Sequence, residues 1–220
     1  NRKPQPPFTT ESMLRAANGR MGWTIGRTNR VATALYQSGH ITYIRTDSTR
    51  TSKSARDRIR SLIEKEYGSN HLGSGVLGPD AKKGASNVQD AHEAIRPTQP
   101  EVKTLTDVDA DQQSLYRLIW GRFAASQMSD SIRERRELVV KSRNLELPLY
   151  GTSSWRIHAG WEVVYSADKE VKTEPPQVGF TIGTIWGFTS TEENPLLTSD
   201  ETKPPRRFTE SSIIREMKKA

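Results

Sequence analysis

The 220 residues predict an α+β chain of more than one unit, a mainly helical domain over residues 1–130 followed by an antiparallel β arch. Three observations carry this. Apolar residues recur at helical spacing up to about residue 130, short Val-, Ile- and aromatic-rich runs broken by Gly and Pro replace them afterwards, and the length suffices for two cores. Composition removes several alternatives. With no Cys, disulfide frameworks, thiolate metal sites and cysteine nucleophiles are excluded. A hydrophobic content of 33% and a mean hydropathy of −0.73 are polar for a globular protein, yet the apolar residues cluster in periodic segments, which argues against wholesale disorder. No run approaches the roughly 20 apolar residues of a membrane span, and Asn1-Arg2-Lys3-Pro4 has no apolar stretch behind its charges. The chain therefore reads as a soluble, cytoplasmic protein. With no initiator Met, and a helical run that reaches Ala220, it also reads as a piece of something longer.

Each element has a local reason. Pro4, Pro6 and Pro7 keep residues 1–7 extended. Thr9 or Thr10 caps a first helix whose stripe of Met13, Leu14, Ala16 and Ala17 precedes Gly19. A second helix starts at Thr24, carries Thr28, Val31, Ala32 and Leu35 on one face, and stops at Gly39. His40 to Thr46 is β-branched and aromatic, a strand or extended loop. Ser52 caps a third helix with Ala55, Ile59, Leu62 and Ile63 in register, ended by Gly68; residues 69–87, rich in Gly, Ser and Asn, form a surface loop. A strong helix runs from about Asp109 to Met128 with Leu115, Leu118, Ile119, Phe123 and Ser126 on one side. Strands follow at Glu137 to Val140, Trp155 to Ile157, Trp161 to Tyr165 and Phe180 to Phe188. Pro204-Pro205 breaks this pattern, and Thr209 caps a last helix through Ile213, Ile214 and Met217. The implied division is 1–130 helical, 131–205 β arch, and 206–220 the start of a further helical domain.

Charge points to a polyanionic partner, and its distribution says where. The chain carries +7, but residues 1–60 hold twelve Lys or Arg against three acids, a net of +9, which leaves −2 for the rest. Inside that basic stretch lies Gly39-His-Ile-Thr-Tyr-Ile-Arg-Thr-Asp-Ser48. In extended backbone Tyr43 and Arg45 point to the same side with Cα atoms about 6.5 to 7 Å apart, so a phenol and a guanidinium could converge on one phosphate. A phenol titrates near 10, and bringing such a group to neutrality takes about 4 kcal/mol of preference for the phenolate. One cation at about 4 Å supplies roughly that at an effective dielectric near 20, provided that it reaches the oxygen. On pattern alone, a packed Tyr and a solvated Arg explain the segment as well.

Leu35-Tyr-Gln-Ser-Gly-His-Ile-Thr-Tyr-Ile-Arg-Thr-Asp-Ser48 resembles the active-site tyrosine segment of bacterial type IA DNA topoisomerases. Ala91-His-Glu-Ala-Ile-Arg-Pro-Thr98 resembles the family's second signature, about fifty residues downstream. Pro6-Pro-Phe-Thr-Thr10, Leu118-Ile-Trp-Gly-Arg-Phe-Ala-Ala-Ser-Gln-Met128 and Pro204-Pro-Arg-Arg-Phe-Thr-Glu-Ser-Ser-Ile-Ile214 match it in the same order. The resemblance implies that Tyr43 is a nucleophile that cuts one DNA strand, leaving a 5′-phosphotyrosine and a 3′-hydroxyl, and that Arg45 orients and neutralises the scissile phosphate. Its implied DNA-binding set is His92, Arg96, Arg50, Thr46 and Ser48. Of these, His92 would bond a backbone phosphate, Arg96 would be a phosphate contact or a structural clamp, Thr46 and Ser48 with Asp47 would hold the tyrosine loop, and Arg50 would add positive field.

The family's Mg²⁺ ligands lie on an Asp-x-Asp-x-Glu cluster of a Toprim domain, which this chain lacks. The resemblance therefore implies no metal bound by this chain, and no relaxation or efficient cleavage by it alone. Asp107-Val-Asp-Ala-Asp111 mimics the spacing but opens a helix, where acids serve the dipole. The implied partners are single-stranded or negatively supercoiled DNA and the parent's Toprim and C-terminal domains, in the bacterial nucleoid and away from membranes. A non-catalytic single-strand-binding module is the alternative. A tyrosine recombinase is disfavoured, because its Arg and His set precedes the tyrosine, whereas here His-Glu-Ala-Ile-Arg follows. His40, His71 and His158 have no ligand-like spacing, and Trp23, Trp120, Trp155, Trp161 and Trp186 read as packing residues. The basic faces of the third helix fit DNA contact and a solvated surface equally.

Overall fold

The computed structural model describes residues 1–75, 93–141, 148–165, 201–205 and 207–217. It is α+β. The helices are α1 (Thr10–Met21), α2 (Ile25–Gln37), α3 (Lys53–Tyr67), α4 (Ala110–Ser126) and α5 (Glu210–Met217), and β1 (Ile132–Val140) pairs with β2 (Leu149–His158). Short 3₁₀ turns cover Ser69–His71 and Gly160–Val164.

Side-chain caps start the helices where the sequence placed them. Thr9 and Ser12 form a reciprocal box at α1, Thr24 accepts from the Arg27 amide, Ser52 from the Ala55 amide, and Thr209 from the Ser212 amide. At α4 the Asp109 carboxylate accepts from the Gln112 amide at 2.7 Å while Gln112 returns a bond to the Asp109 amide. One expected end moves. Gly19 lies inside α1 and takes no left-handed conformation; the helix ends at Gly22, with φ 68°.

The core belongs to the helical part. Helix α4 is its axle: Leu115, Tyr116, Leu118, Ile119, Trp120, Phe123, Ala124 and Ala125 are all buried, so the helix is enclosed nearly all round. Around it pack Met13 and Ala17 of α1, Ala32 and Leu35 of α2, and Ile59 and Ile63 of α3. The polar ends of its aromatics are paired, Tyr116 Oη donating to the Val102 carbonyl and Trp120 Nε1 to the Pro100 carbonyl, each at 2.7 Å. Trp23 and Trp155 are buried as well, and Trp161 is partly buried; Trp186 lies outside the described residues.

β1 and β2 form a two-stranded antiparallel ribbon, from Ile132 opposite His158 to Val140 opposite Leu149. Most of its side chains are exposed, so its anchorage depends on the root. There, Arg2 and Ser131 exchange backbone bonds at 2.8 and 3.0 Å, the Ser129 amide donates to the His71 carbonyl, and Trp161 Nε1 donates to the Arg2 carbonyl. The Arg133 guanidinium bonds Glu162 at 2.8 Å. His158 Nε2 is 3.0 Å from Ser129 Oγ, and its ring centre is 5.0 Å from that of His71. Burial and the neighbouring His158 push the His71 pKa below its ordinary value, against a hydrogen bond with the Tyr67 backbone that raises it.

The strand expected at Trp161 to Tyr165 is a 3₁₀ turn instead. Gly160 turns the chain there with φ 50°, so close to the preceding link that a Cβ would lie 2.3 Å from the Asp130 carbonyl oxygen. The strand expected at Phe180 to Phe188 lies outside the described residues, as does most of the loop expected at 69–87. Helix α5 packs on α1, and its Glu210 carboxylate accepts from the Ile25 amide at 2.6 Å, at the positive end of α2.

Candidate active site around Tyr43

The tyrosine segment leaves α2 through Gly39, whose φ of 74° is the left-handed turn the sequence implied. The His40 amide bonds back to the Leu35 carbonyl at 2.9 Å, which fixes the exit direction. The segment then runs as an extended loop. Its one bridge, Ile41 with Pro97, and a bend at Ile44 replace a regular strand.

Two distant stretches hold it. On one side the Thr42 amide donates to the Arg96 carbonyl at 2.9 Å, Thr42 Oγ1 donates to the Ala94 carbonyl at 2.7 Å, and the Arg96 amide donates to Thr42 Oγ1 at 3.0 Å. Thr98 adds a bond from its hydroxyl to the Gly39 carbonyl at 2.6 Å. On the other side Thr10 Oγ1 lies 2.6 Å from the Ile44 carbonyl oxygen and accepts from the Thr46 amide at 2.9 Å, while the Thr10 amide donates to the Thr46 carbonyl. The Pro-Pro-Phe-Thr-Thr and Ala-Ile-Arg-Pro-Thr motifs are thus the two walls of the tyrosine loop, and they touch each other where Phe8 bridges Ile95. Arg122 of α4 supports the first wall by donating to the Pro6 carbonyl at 2.8 Å.

Burial alternates along the loop: Ile44 and Thr46 turn inward, Tyr43 and Arg45 outward. Tyr43 is 41% exposed and its ring meets that of Tyr36 edge-on, centres 5.3 Å apart. Arg45 is exposed and has no partner among the described residues. The nucleophile candidate and its cation therefore share one surface.

The remaining candidates separate by what they touch. Thr46 is buried, and its hydroxyl accepts from the Ser48 amide at 3.0 Å; Ser48 Oγ accepts from the Arg50 amide at 3.2 Å. Both close local turns. The Arg50 carbonyl continues the chain of contacts by accepting from the Ala94 amide. Arg96 is 11% exposed, and its guanidinium bonds Glu93, Ser52 Oγ and the Pro97 carbonyl, so it ties the second wall to the cap of α3. His92 lies outside the described residues.

Much of the basic charge of residues 1–60 is spoken for. Arg58 pairs with Glu101, Lys53 with Asp57, and Arg56 bonds the Thr51 carbonyl. Arg60 donates to the Gly73 carbonyl at 2.8 Å. Four basic residues of α3 thus have partners within the chain, while Arg45, Arg30 and Lys3 are exposed cations without a partner among the described residues.

No group of three or more His, Asp or Glu side chains among the described residues is arranged to hold a metal ion. The Asp-rich start of α4 is accounted for without one. Asp109 is the cap, and Arg27 grips Asp111 with two bonds at 2.8 and 2.9 Å, holding its carboxyl below the ordinary range. No described helix is long and apolar enough to cross a membrane.

Sequence reasoning missed Thr42, Thr98, Glu93 and Tyr36 as individuals, and Thr10 as more than a candidate helix cap. All five lie in motifs that it had singled out, but the partners of the three threonines are 34 or more residues away, the Glu93 pair depends on the fold around Arg96, and the meeting of Tyr36 with Tyr43 depends on the turn between them.

A family model described as DNA topoisomerase matches residues 1–220. The chain belongs to the bacterial type IA DNA topoisomerase family. It is 34% identical to DNA topoisomerase 1 of Thermotoga maritima over 98% of its own length and 34% of that protein. With DNA topoisomerase 1 of Escherichia coli K12 it shares 35% identity over 99% of its length and 24% of that protein. The solved full-length topoisomerase I of Thermotoga maritima superposes with a TM-score of 0.76 at 31% identity, covering 99% of this chain and 35% of that one. The chain thus spans about a third or less of the topoisomerases it matches.

Proposed function

We propose that this chain is the tyrosine-bearing part of a type IA topoisomerase, in which the Tyr43 oxygen attacks a backbone phosphorus of one DNA strand. The P–O bond to the 3′-oxygen breaks, the phenolic proton is lost, and the leaving 3′-oxygen gains a proton. The products are a 5′-phosphotyrosine and a 3′-hydroxyl, and the reverse attack reseals the strand. Because the phosphodiester is stored as an ester, no nucleotide hydrolysis is required. The observation that carries this reading is the pair of outward side chains, Tyr43 and Arg45, on a loop pinned on both sides by Thr10 and Thr42. Such pinning positions an attacking group without stiffening its own side chain.

Arg45 offers the scissile phosphate an uncommitted cation. His92 and Arg50 act on neighbouring phosphates, whereas Arg96, Thr46 and Ser48 contribute by holding the loop. Mg²⁺ acts from residues outside this chain. On this reading residues 1–130 are the domain that swings away with the bound strand end, 131–205 the arch that carries it, and 206–220 the start of a further domain. The substrate is single-stranded or negatively supercoiled DNA, in the bacterial cytoplasm. Without a Toprim partner the 220 residues alone relax no supercoils.

Two proteins test this: the full-length parent, unaltered and with Tyr43→Phe, incubated with supercoiled plasmid and Mg²⁺. Relaxation by the first and none by the second is the expected result. A non-catalytic binder would retain single-stranded DNA and relax nothing in either form, and Mg²⁺-dependent relaxation by the isolated 220 residues would refute their proposed inactivity.

A further inference from the structure

We infer that Tyr36 is a positioning residue for the cleavage step, its ring being the wall that holds the Tyr43 ring in line for attack. The inference rests on the reading of Tyr43 as the nucleophile.

The backbone of Tyr43 is fixed by Thr42 on one side and by the Ile44 carbonyl on the other, but its side chain stands 41% exposed at the surface. An attack on phosphorus needs the Tyr43 oxygen at one point, and Tyr36 supplies a ring contact that bears on where it lies. Its ring lies 5.3 Å from the Tyr43 ring at 65°, within the range of edge-to-face aromatic pairs.

The backbone that carries this wall is fixed. Tyr36 sits in the last turn of α2, beside the core residue Leu35, and its carbonyl accepts from the Gly39 amide at 2.9 Å. The turn between the two tyrosines is closed by the His40-to-Leu35 bond and by Thr98 on the Gly39 carbonyl. The two rings therefore meet across a fixed connection. Tyr36 is also 41% exposed, so removing its ring opens no core cavity. That separates a positioning role from a merely structural one.

The experiment uses the full-length parent and a single-stranded oligonucleotide under single-turnover conditions, and measures the rate of covalent adduct formation, DNA affinity and thermal midpoint. Tyr36→Ala should slow adduct formation about 3- to 10-fold, as expected for loss of one aromatic pair, with affinity and midpoint unchanged. Tyr36→Phe, which keeps the ring edge, should react at the unaltered rate. The inference is overturned if Tyr36→Ala reacts normally, if its defect lies in DNA affinity as for a base-stacking platform, if its midpoint falls with the rate, or if Tyr36→Phe is as slow. Tyr43→Phe keeps the two failures apart: an adduct formed by that variant removes the nucleophile assignment itself, whatever Tyr36 does.

Discussion

Thr10 and Thr42 do for the tyrosine loop what a neighbouring strand would do in a sheet, and they do it with side chains. Thr10 Oγ1 contacts the Ile44 carbonyl and the Thr46 amide; Thr42 Oγ1 contacts the Ala94 carbonyl and the Arg96 amide. Replacing Thr10 by Val keeps the shape and removes these bonds, leaving a half-buried amide and carbonyl short of partners. Urea unfolding should register a loss of about 1 to 3 kcal/mol. Arg45→Ala makes a different prediction. Its side chain has no partner among the described residues, so stability should not change while adduct formation in the parent falls by at least about tenfold, the cost of losing one charge-assisted phosphate contact. Tyr43 and Arg45 were singled out by a segment that resembles the family's tyrosine signature, whereas alternation and charge alone left them open; the structure turns both outward on one loop. Tyr36 was not singled out as an individual, because a tyrosine at the end of an amphipathic helix carries no sign of which ring it will meet.

At the scale of elements, the sequence was most informative where a boundary has its own chemistry. Thr9, Thr24, Ser52 and Asp109 all cap the helices they precede. Asp109→Ala should cost about 1 kcal/mol in chemical denaturation, and the loss should not depend on Mg²⁺, since the carboxylate is engaged as a helix cap. Pattern was a poorer guide where tertiary contact decides. Trp161 to Tyr165 has the residues of a strand, but Gly160 turns the chain hard against the Asp130 carbonyl, and the segment coils beneath the ribbon root. Likewise Gly19 ends nothing, since the left-handed position falls at Gly22.

At the scale of the whole molecule, the described part of the ribbon is mounted on the helical body at its root. His71 follows α3, His158 ends β2, and Ser129 links α4 to β1 between them. Residues 87 positions apart give no sequence signal of such a meeting. Because His71 is held below its ordinary pKa of 6.5, the unfolded chain takes up the proton first. The joint's contribution is therefore complete above about pH 6.5 and is lost progressively as pH falls through the lower value of the folded state. Thermal melts from pH 8 to 5 should show this decline, and His71→Asn should flatten it. The net +9 of residues 1–60 resolves at this scale into cations paired within the chain and a few, Arg45 among them, that are exposed without a partner among the described residues. The most direct measurement of the central claim uses oligonucleotides labelled at either end and the full-length parent with Mg²⁺, with the site of attachment mapped by peptide mass spectrometry. The account predicts that only the 3′-labelled fragment becomes protein-bound, through the Tyr43 oxygen, and that the 5′-labelled fragment is released with a free 3′-hydroxyl. Attachment of the 5′-labelled fragment, or at any residue other than Tyr43, would contradict it.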